Sequence, residues 1–435
     1  MSPVATQGRL YRRFWRWHFW AAFLVIPFVL LQSTTGTLYL WHEEWADWAH
    51  PELRFVEPAG DRASLDAQVA AAVATQPHTR PTTLRVSDDP RRATQVIFGG
   101  HHDQGDALPF PVFVDPYRAQ VLGSLPAWQW MPGWSRKIHG GWPLGDAGSW
   151  LLELGASWAV VMILTGLYLW WPRDGRGVLG SLWPRTRLGP RVFVRDLHAS
   201  VAVPFSIVIL VFLVTALPWT KVWGERVLRP VQVALGQTSP FAAAARARST
   251  PLPRVTPAGL SETVALARAQ GVTGELEIRL DAPDKADAAT SIRNLAPRTS
   301  QETALAIDRY SRQTLVRTTW DDYPPIPRAV ATGVDLHEGT FFGRGNQWLN
   351  TAVAASLAWL SVTGLLSWWW RRPPGGGVGI AAPPRSKAAL PRGLLAIGAT
   401  LCVLLPLLGL SVLALWVLDA AWLRVRPPGA AGASA

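Results

Sequence analysis

The chain contains one cysteine, Cys402, in 435 residues. Without a second thiol, an intramolecular disulfide and a thiolate-built metal centre are both excluded. Charge is also sparse, with Asp, Glu, Lys and Arg making up 17% of the residues. That scarcity leaves long stretches with no charge at all, which a soluble domain rarely carries. A dinucleotide-binding loop is missing too. The glycine run Gly375–Gly379 sits between proline pairs with no strand before it and reads as a linker.

What is present is apolar. Hydrophobic residues make up 49% of the chain, gathered in runs at Phe14–Trp41, Trp150–Trp171, Val192–Trp219, Trp348–Trp370 and Leu394–Leu418. Each is near the roughly 20 residues that a helix needs to cross hydrocarbon. Five membrane spans are expected. The first run is too long for a signal peptide, and Leu38–Trp48 offers no small-x-small cleavage site, so it is expected to be retained. Many of the 25 tryptophans lie at span ends, as in an interfacial aromatic belt.

The net charge of +12 does not point to nucleic acid, because the basic residues collect at span ends. Arg9, Arg12, Arg13 and Arg16 precede the first span. Arg173, Arg176, Arg185, Arg187, Arg191 and Arg195 surround the short segment 172–191, and Arg371, Arg372, Arg385, Lys387 and Arg392 surround 371–393. By the positive-inside rule these segments and residues 1–13 are cytoplasmic, while the long connections 42–138 and 220–336 lie outside. The tail 419–435 then also falls outside, where Arg424 and Arg426 run against the rule.

Both long connections read as small α+β domains. In the first, Ser64–Thr75 is expected as helix and Thr83–Arg85, Thr94–Phe98 and Val112–Asp115 as strands. In the second, Ser261–Ala269 is expected as helix and Gly274–Leu280 and Thr303–Asp308 as strands. Each contains a similar segment, Asp115–Leu122 and Asp308–Leu315, read as a hairpin corner with a packed tyrosine. Ser239–Pro257 and Pro373–Pro384 read as linkers.

A repeat organises the chain. His139–Arg173 aligns without a gap to His337–Arg371, and matching residues include Gly141/Gly339, Trp150/Trp348, Thr165/Thr363, Gly166/Gly364, Trp170/Trp368 and Arg173/Arg371. A weaker relation takes His18 to His198 and Thr35 to Thr215. The expected architecture is a mainly α-helical membrane protein in two parallel repeats of span, outer domain and span, with a fifth helix at the end. Such repeats build their site where the halves meet.

Sorted by depth, the histidines form two layers. His18 and His198 lie near the inner ends of spans one and three; His139 and His337 precede the outer ends of spans two and four. About 20 residues at roughly 1.5 Å each separate His18 from the far end of its span, so the layers belong to opposite faces. No carboxylate or cysteine accompanies these histidines at zinc-site spacing, whereas two opposed imidazoles suit the axial positions of a haem iron. Arg16 and Arg195, with Arg12 and Arg13, could neutralise propionates at the inner pair, and Lys137 and Arg344, with Arg136, at the outer one. Ionisable residues within a membrane segment are functional by default. His42, His50, His78, His101 and His102 lack repeat partners and read as interfacial or loop residues.

The chain resembles the PepSY-associated transmembrane family of bacterial inner-membrane proteins, and within it the ferric-siderophore reductases. The resemblance covers nearly all of residues 10 to 372. It is carried by His18 with Thr35-Gly36, Val114-Asp115-Pro116-Tyr117 with Val121-Leu122-Gly123, His139 with Thr165-Gly166-Leu167, Asp196-Leu197-His198, and Leu336-His337 with Thr363-Gly364-Leu365. Ala216 departs from the pattern, replacing the glycine expected after Thr215. The resemblance implies PepSY-like periplasmic domains, an iron-related role and, as in the ferric-siderophore reductases, b-type haems on span histidines; the two layers make two bis-histidine haems the expectation. The expected function is transmembrane electron transfer that reduces a ferric siderophore or another ferric chelate at the periplasmic face, with a quinol or a separate flavoprotein as donor. Two rivals remain: a non-redox protein whose outer domains bind a periplasmic partner, and a small-solute transporter, for which Glu153 is the acidic candidate.

Overall fold

The computed structural model describes residues 3–99, 108–173, 177–280, 285–372, 382–384, 386 and 389–425. His101, His102 and Gly375–Gly379 lie outside the described residues. The helices that matter for the site are, in chain order, α1 (Pro3–Leu40), α2 (Leu65–Thr75), α3 (Met131–His139), α4 (Gly145–Trp170), α5 (Pro190–Ala216), α6 (Leu260–Ala269), α7 (Pro325–His337), α8 (Arg344–Trp369), α9 (Arg392–Leu404) and α10 (Pro406–Val425). Two compact units divide the chain: Met1–Ser33, Asp146–Leu228 and Val353–Ala435 form one, and Thr34–Gly145 with Arg229–Ala352 the other.

The first unit is helical. Among the described residues four helices are long and apolar enough to cross a membrane, at Gly8–Leu40, Gly145–Trp170, Pro190–Trp219 and Arg344–Trp369. They form because an apolar helix satisfies every backbone polar group internally, as hydrocarbon demands. Helix α4 turns a stripe of small and polar residues inward, with Gly148, Ser149, Gly155, Ser157, Ala159 and Thr165 all buried. A Cβ on Gly155 would come within 3.0 Å of the Phe28 ring, so the glycine lets α4 approach α1 closely. Outward positions are apolar, as with Ile207, which is 75% exposed in the protein alone.

The expected fifth span differs. Leu394–Leu418 is not one rod but two helices, α9 and α10, bent by 119°. Pro406 is the reason: it has no N–H to donate, its ring crowds the preceding turn, and it drives Leu405 out of the helical region to φ −122° and ψ 85°. The carbonyl of Leu404 at this break accepts a hydrogen bond from the Trp223 indole N–H at 3.0 Å.

The second unit is built on one antiparallel sheet. Its strands are β1 (Pro81–Val86), β2 (Thr94–Phe98), β3 (Phe110–Asp115), β4 (Gln120–Ser124), β5 (Leu276–Arg279), β6 (Thr290–Asn294), β7 (Ala304–Ile307) and β8 (Thr314–Thr318). Their order is β4-β3-β2-β1-β5-β6-β7-β8. The two outer segments therefore share a sheet instead of forming separate ones. Each contributes four strands and a helix over the shared core, α2 or α6, and β1 pairs with β5 so that two edges disappear. At that seam Arg85 stands opposite Glu277, with a 3.1 Å ion pair. Alternate residues Leu84, Val86, Val96, Phe98, Leu276, Ile278, Ile292, Leu305 and Ile307 point to one face, where Leu65, Ala72 and Ala267 of α2 and α6 cover them. Ser64 caps α2 by accepting from the Ala67 N–H at 3.2 Å.

The similar segments do form corners. Asp115 accepts from the Tyr117 N–H and Asp308 from the Tyr310 N–H, each at 2.8 Å, which ties the β3–β4 and β7–β8 turns. The strands Gln120–Ser124, Thr290–Asn294 and Thr314–Thr318 escape the sequence pattern, being short and largely polar.

Candidate functional site

In the first unit each inner histidine is held by a different neighbouring helix. The Nδ1 of His18 on α1 lies 3.1 Å from the Met162 carbonyl and 3.2 Å from Thr165 Oγ1, both on α4. His198 Nδ1 on α5 lies 2.8 Å from Thr363 Oγ1 on α8. These contacts tie α1 to α4 and α5 to α8. The threonines are anchored by their own helices. Thr165 Oγ1 donates to the Val161 carbonyl at 2.7 Å, and Thr363 Oγ1 to the Trp359 carbonyl at 2.8 Å.

In the second unit His139 is the last residue of α3 and His337 the last of α7, each preceding a span helix instead of lying on it. Their ring centres are 6.3 Å apart with planes at 64°. Thr35 Oγ1, near the end of α1, lies 3.1 Å from His139 Nδ1. The His337 backbone is fixed through its carbonyl, which accepts from Asn350 Nδ2 at 3.0 Å, while Asn346 Nδ2 holds the adjacent Leu336 carbonyl at 3.1 Å. Polar side chains thus clamp the end of α7 where its last carbonyls lack helical partners.

Three or more His, Cys, Asp or Glu side chains nowhere gather as a metal-ion site among the described residues. Paired imidazoles are therefore the coordination chemistry to test. Two imidazoles on opposite sides of one metal, each roughly 2 Å from it, hold their ring centres roughly 6 Å apart. The outer pair, at 6.3 Å, has the spacing for that arrangement.

A family model described as PepSY-associated TM region matches residues 15–372. The chain belongs to that family. No curated protein matches it. The bent pair α9–α10 of this PepSY-associated TM protein lies beyond the matched residues.

Of the basic residues expected around the pairs, Arg16, Arg195 and Arg344 have protein partners. Arg16 donates to the Pro383 carbonyl at 2.5 Å, Arg195 pairs with Asp196 at 3.0 Å, and Arg344 pairs with Glu44 while lying 5.9 Å from the Trp41 ring centre. Lys137 is half-buried on α3, two residues before His139. His42 stacks on Tyr39 at 4.7 Å, and His50 lies 4.0 Å from Glu52, so both have local structural contacts.

Glu153 has a structural task. Its buried carboxylate accepts from the backbone N–H of Val222 at 3.0 Å and of Trp223 at 3.1 Å, capping the turn that opens at Trp223. Asp196, a second acidic residue on a span helix, is claimed by Arg185 at 2.6 Å. The sequence pattern displayed Thr35, Thr165 and Thr363 as recurring residues without a role. Their chemistry lies in contacts to other helices.

Proposed function

We propose that this PepSY-associated TM protein moves electrons across the bacterial inner membrane through two bis-histidine b-type haems and reduces a ferric chelate, a ferric siderophore, at the periplasmic face. The single observation that carries this reading is the approach of His139 and His337 to 6.3 Å. The Nδ1 contacts of three of the four rings support it further.

His18 and His198 would hold an inner haem, with Arg16 and Arg195 supplying positive charge. His139 and His337 would hold an outer one, with Lys137 and Arg344 beside them. When bound, haem supplies a one-electron iron couple, so each electron delivered converts one ferric ion to ferrous. Reduction weakens the hold of hard oxygen donors on iron, and the metal leaves without destruction of the chelator. A quinol or a separate flavoprotein would supply the electrons. The basic segments 1–13, 172–191 and 371–393 would face the cytoplasm by the positive-inside rule, with the sheet unit in the periplasm. A transporter role finds less support, because Glu153 and Asp196 are occupied by backbone and arginine partners.

The test is spectroscopic. Protein purified from haem-replete cells should show a reducible low-spin spectrum with about two haems per chain, one per histidine pair. A colourless preparation would sink the reading and favour an anchor whose sheet binds a partner.

A further inference from the structure

Three of the four histidines lie against a Thr-Gly pair from another part of the chain. Thr165-Gly166 meets His18, Thr363-Gly364 meets His198, and Thr35-Gly36 meets His139. A threonine hydroxyl carries one proton. Thr363 Oγ1 commits it to the Trp359 carbonyl at 2.8 Å, so towards His198 Nδ1 it can only accept. Thr165 Oγ1 is committed likewise to the Val161 carbonyl, and His18 Nδ1 also faces the Met162 carbonyl at 3.1 Å, which has no proton to give. The Met162 carbonyl can only accept, so on His18 the hydrogen sits on Nδ1; on His198 it sits there as long as the Thr363 hydroxyl keeps its proton on its own helix. Nε2 keeps its lone pair.

We propose that Thr165 and Thr363, with Thr35 in the same place beside His139, are positioning residues that lock the Nδ1–H tautomer and so preset Nε2 as the metal-ligating atom. The purpose of this device rests on the haem reading above, while the tautomer itself does not. Ligating histidines depend on such outer partners, which fix the ring and raise its basicity.

The glycine beside each threonine sets how near the ring can lie. A Cβ on Gly36 would stand 3.0 Å from His139 Cε1 and one on Gly166 3.2 Å from His18 Cε1, whereas one on Gly364 would stand 3.9 Å from His198 Cε1. The first two positions exclude a methyl group unless the imidazole moves. The third accepts one at ordinary contact distance. The fourth threonine of the series, Thr215, is followed by Ala216.

Two measurements test the proposal. In haem-free full-length protein, ¹⁵N NMR should show His18 and His198 as Nδ1–H tautomers; Nε2–H tautomers would overturn the assignment whether or not haem binds. In haem-loaded protein, T363V should weaken haem retention at the inner site by about 10- to 100-fold and raise the midpoint potential of that haem, with T363S restoring both. T165V should shift the potential less, since the Met162 carbonyl still accepts from His18. G166A should disturb the inner low-spin signal and G364A should not. A T363V protein with wild-type potential and retention would refute the positioning role. Protein with Nδ1–H tautomers that never takes up haem would uphold the tautomer lock and refute the redox function.

Discussion

His139 and His337 end two different helices, α3 and α7, nearly 200 residues apart in sequence, yet their rings stand 6.3 Å from centre to centre. If they serve one haem, H139A and H337A should each remove the same haem. H18A and H198A should each remove the other. Pyridine haemochrome stoichiometry and a redox titration of each variant read this directly, and loss of one common haem from H18A and H139A would refute pairing by depth.

The buried carboxylate of Glu153 accepts from the backbone N–H groups of Val222 and Trp223. E153A should lower stability by about 1–3 kcal/mol, the cost of leaving buried donors unsatisfied. E153Q, which keeps one acceptor oxygen, should cost less. Thermal unfolding in detergent measures both, and an E153A protein as stable as the wild type would show that the cap contributes nothing.

Burial pushes the Glu302 carboxyl up to about 7 from the ordinary 4.5, although Arg293, 3.9 Å away, pulls the other way. Between those values the unfolded chain has lost its proton and the folded sheet has kept it. The Glu302 contribution to stability should therefore be greatest below pH 4.5 and fall as pH rises towards 7, by roughly 3 kcal/mol at most. E302Q should flatten that slope. Chemical unfolding followed at several pH values checks the sign, and a rise in this contribution with pH would contradict it.

Leu405, at the bend between α9 and α10, packs beside Leu217, just past the C-terminal end of α5, while Ser411 Oγ accepts from the Trp158 indole N–H at 3.1 Å, halfway along α4. After the bend the chain therefore heads back towards the face it entered from. A reporter joined after α10 should be cytoplasmic, which would bring Arg424 and Arg426 into line with the positive-inside rule. Periplasmic alkaline phosphatase activity from that fusion would show a complete fifth crossing.

The four straight spans were legible in the sequence because hydrocarbon selects for length and apolarity alone, and both are visible without knowing any neighbour. His18, His139, His198 and His337 stood out in the sequence because the repeat marks them. Thr165 and Thr363 were visible only as recurring letters, since their partners His18 and His198 sit on other helices. The break at Leu405 had its signal in Pro406, which counting apolar residues passes over. The seam between β1 and β5 had none, because nothing in Thr83–Val86 or Leu276–Arg279 states which edge each strand will meet.

The sequence by itself determined that this chain lives in a membrane, belongs to the PepSY-associated TM region family and carries four histidines in related pairs. Composition is enough for the first conclusion, the family match over residues 15–372 gives the second, and repetition gives the third. Only the tertiary structure decided that one sheet joins both long connections, that the His139 and His337 rings come within 6.3 Å, and that Thr35, Thr165 and Thr363 lie against histidine Nδ1 atoms. Those outcomes depend on the direction and distance of groups far apart in the chain, and hydrogen bonds and metal ligation are governed by both.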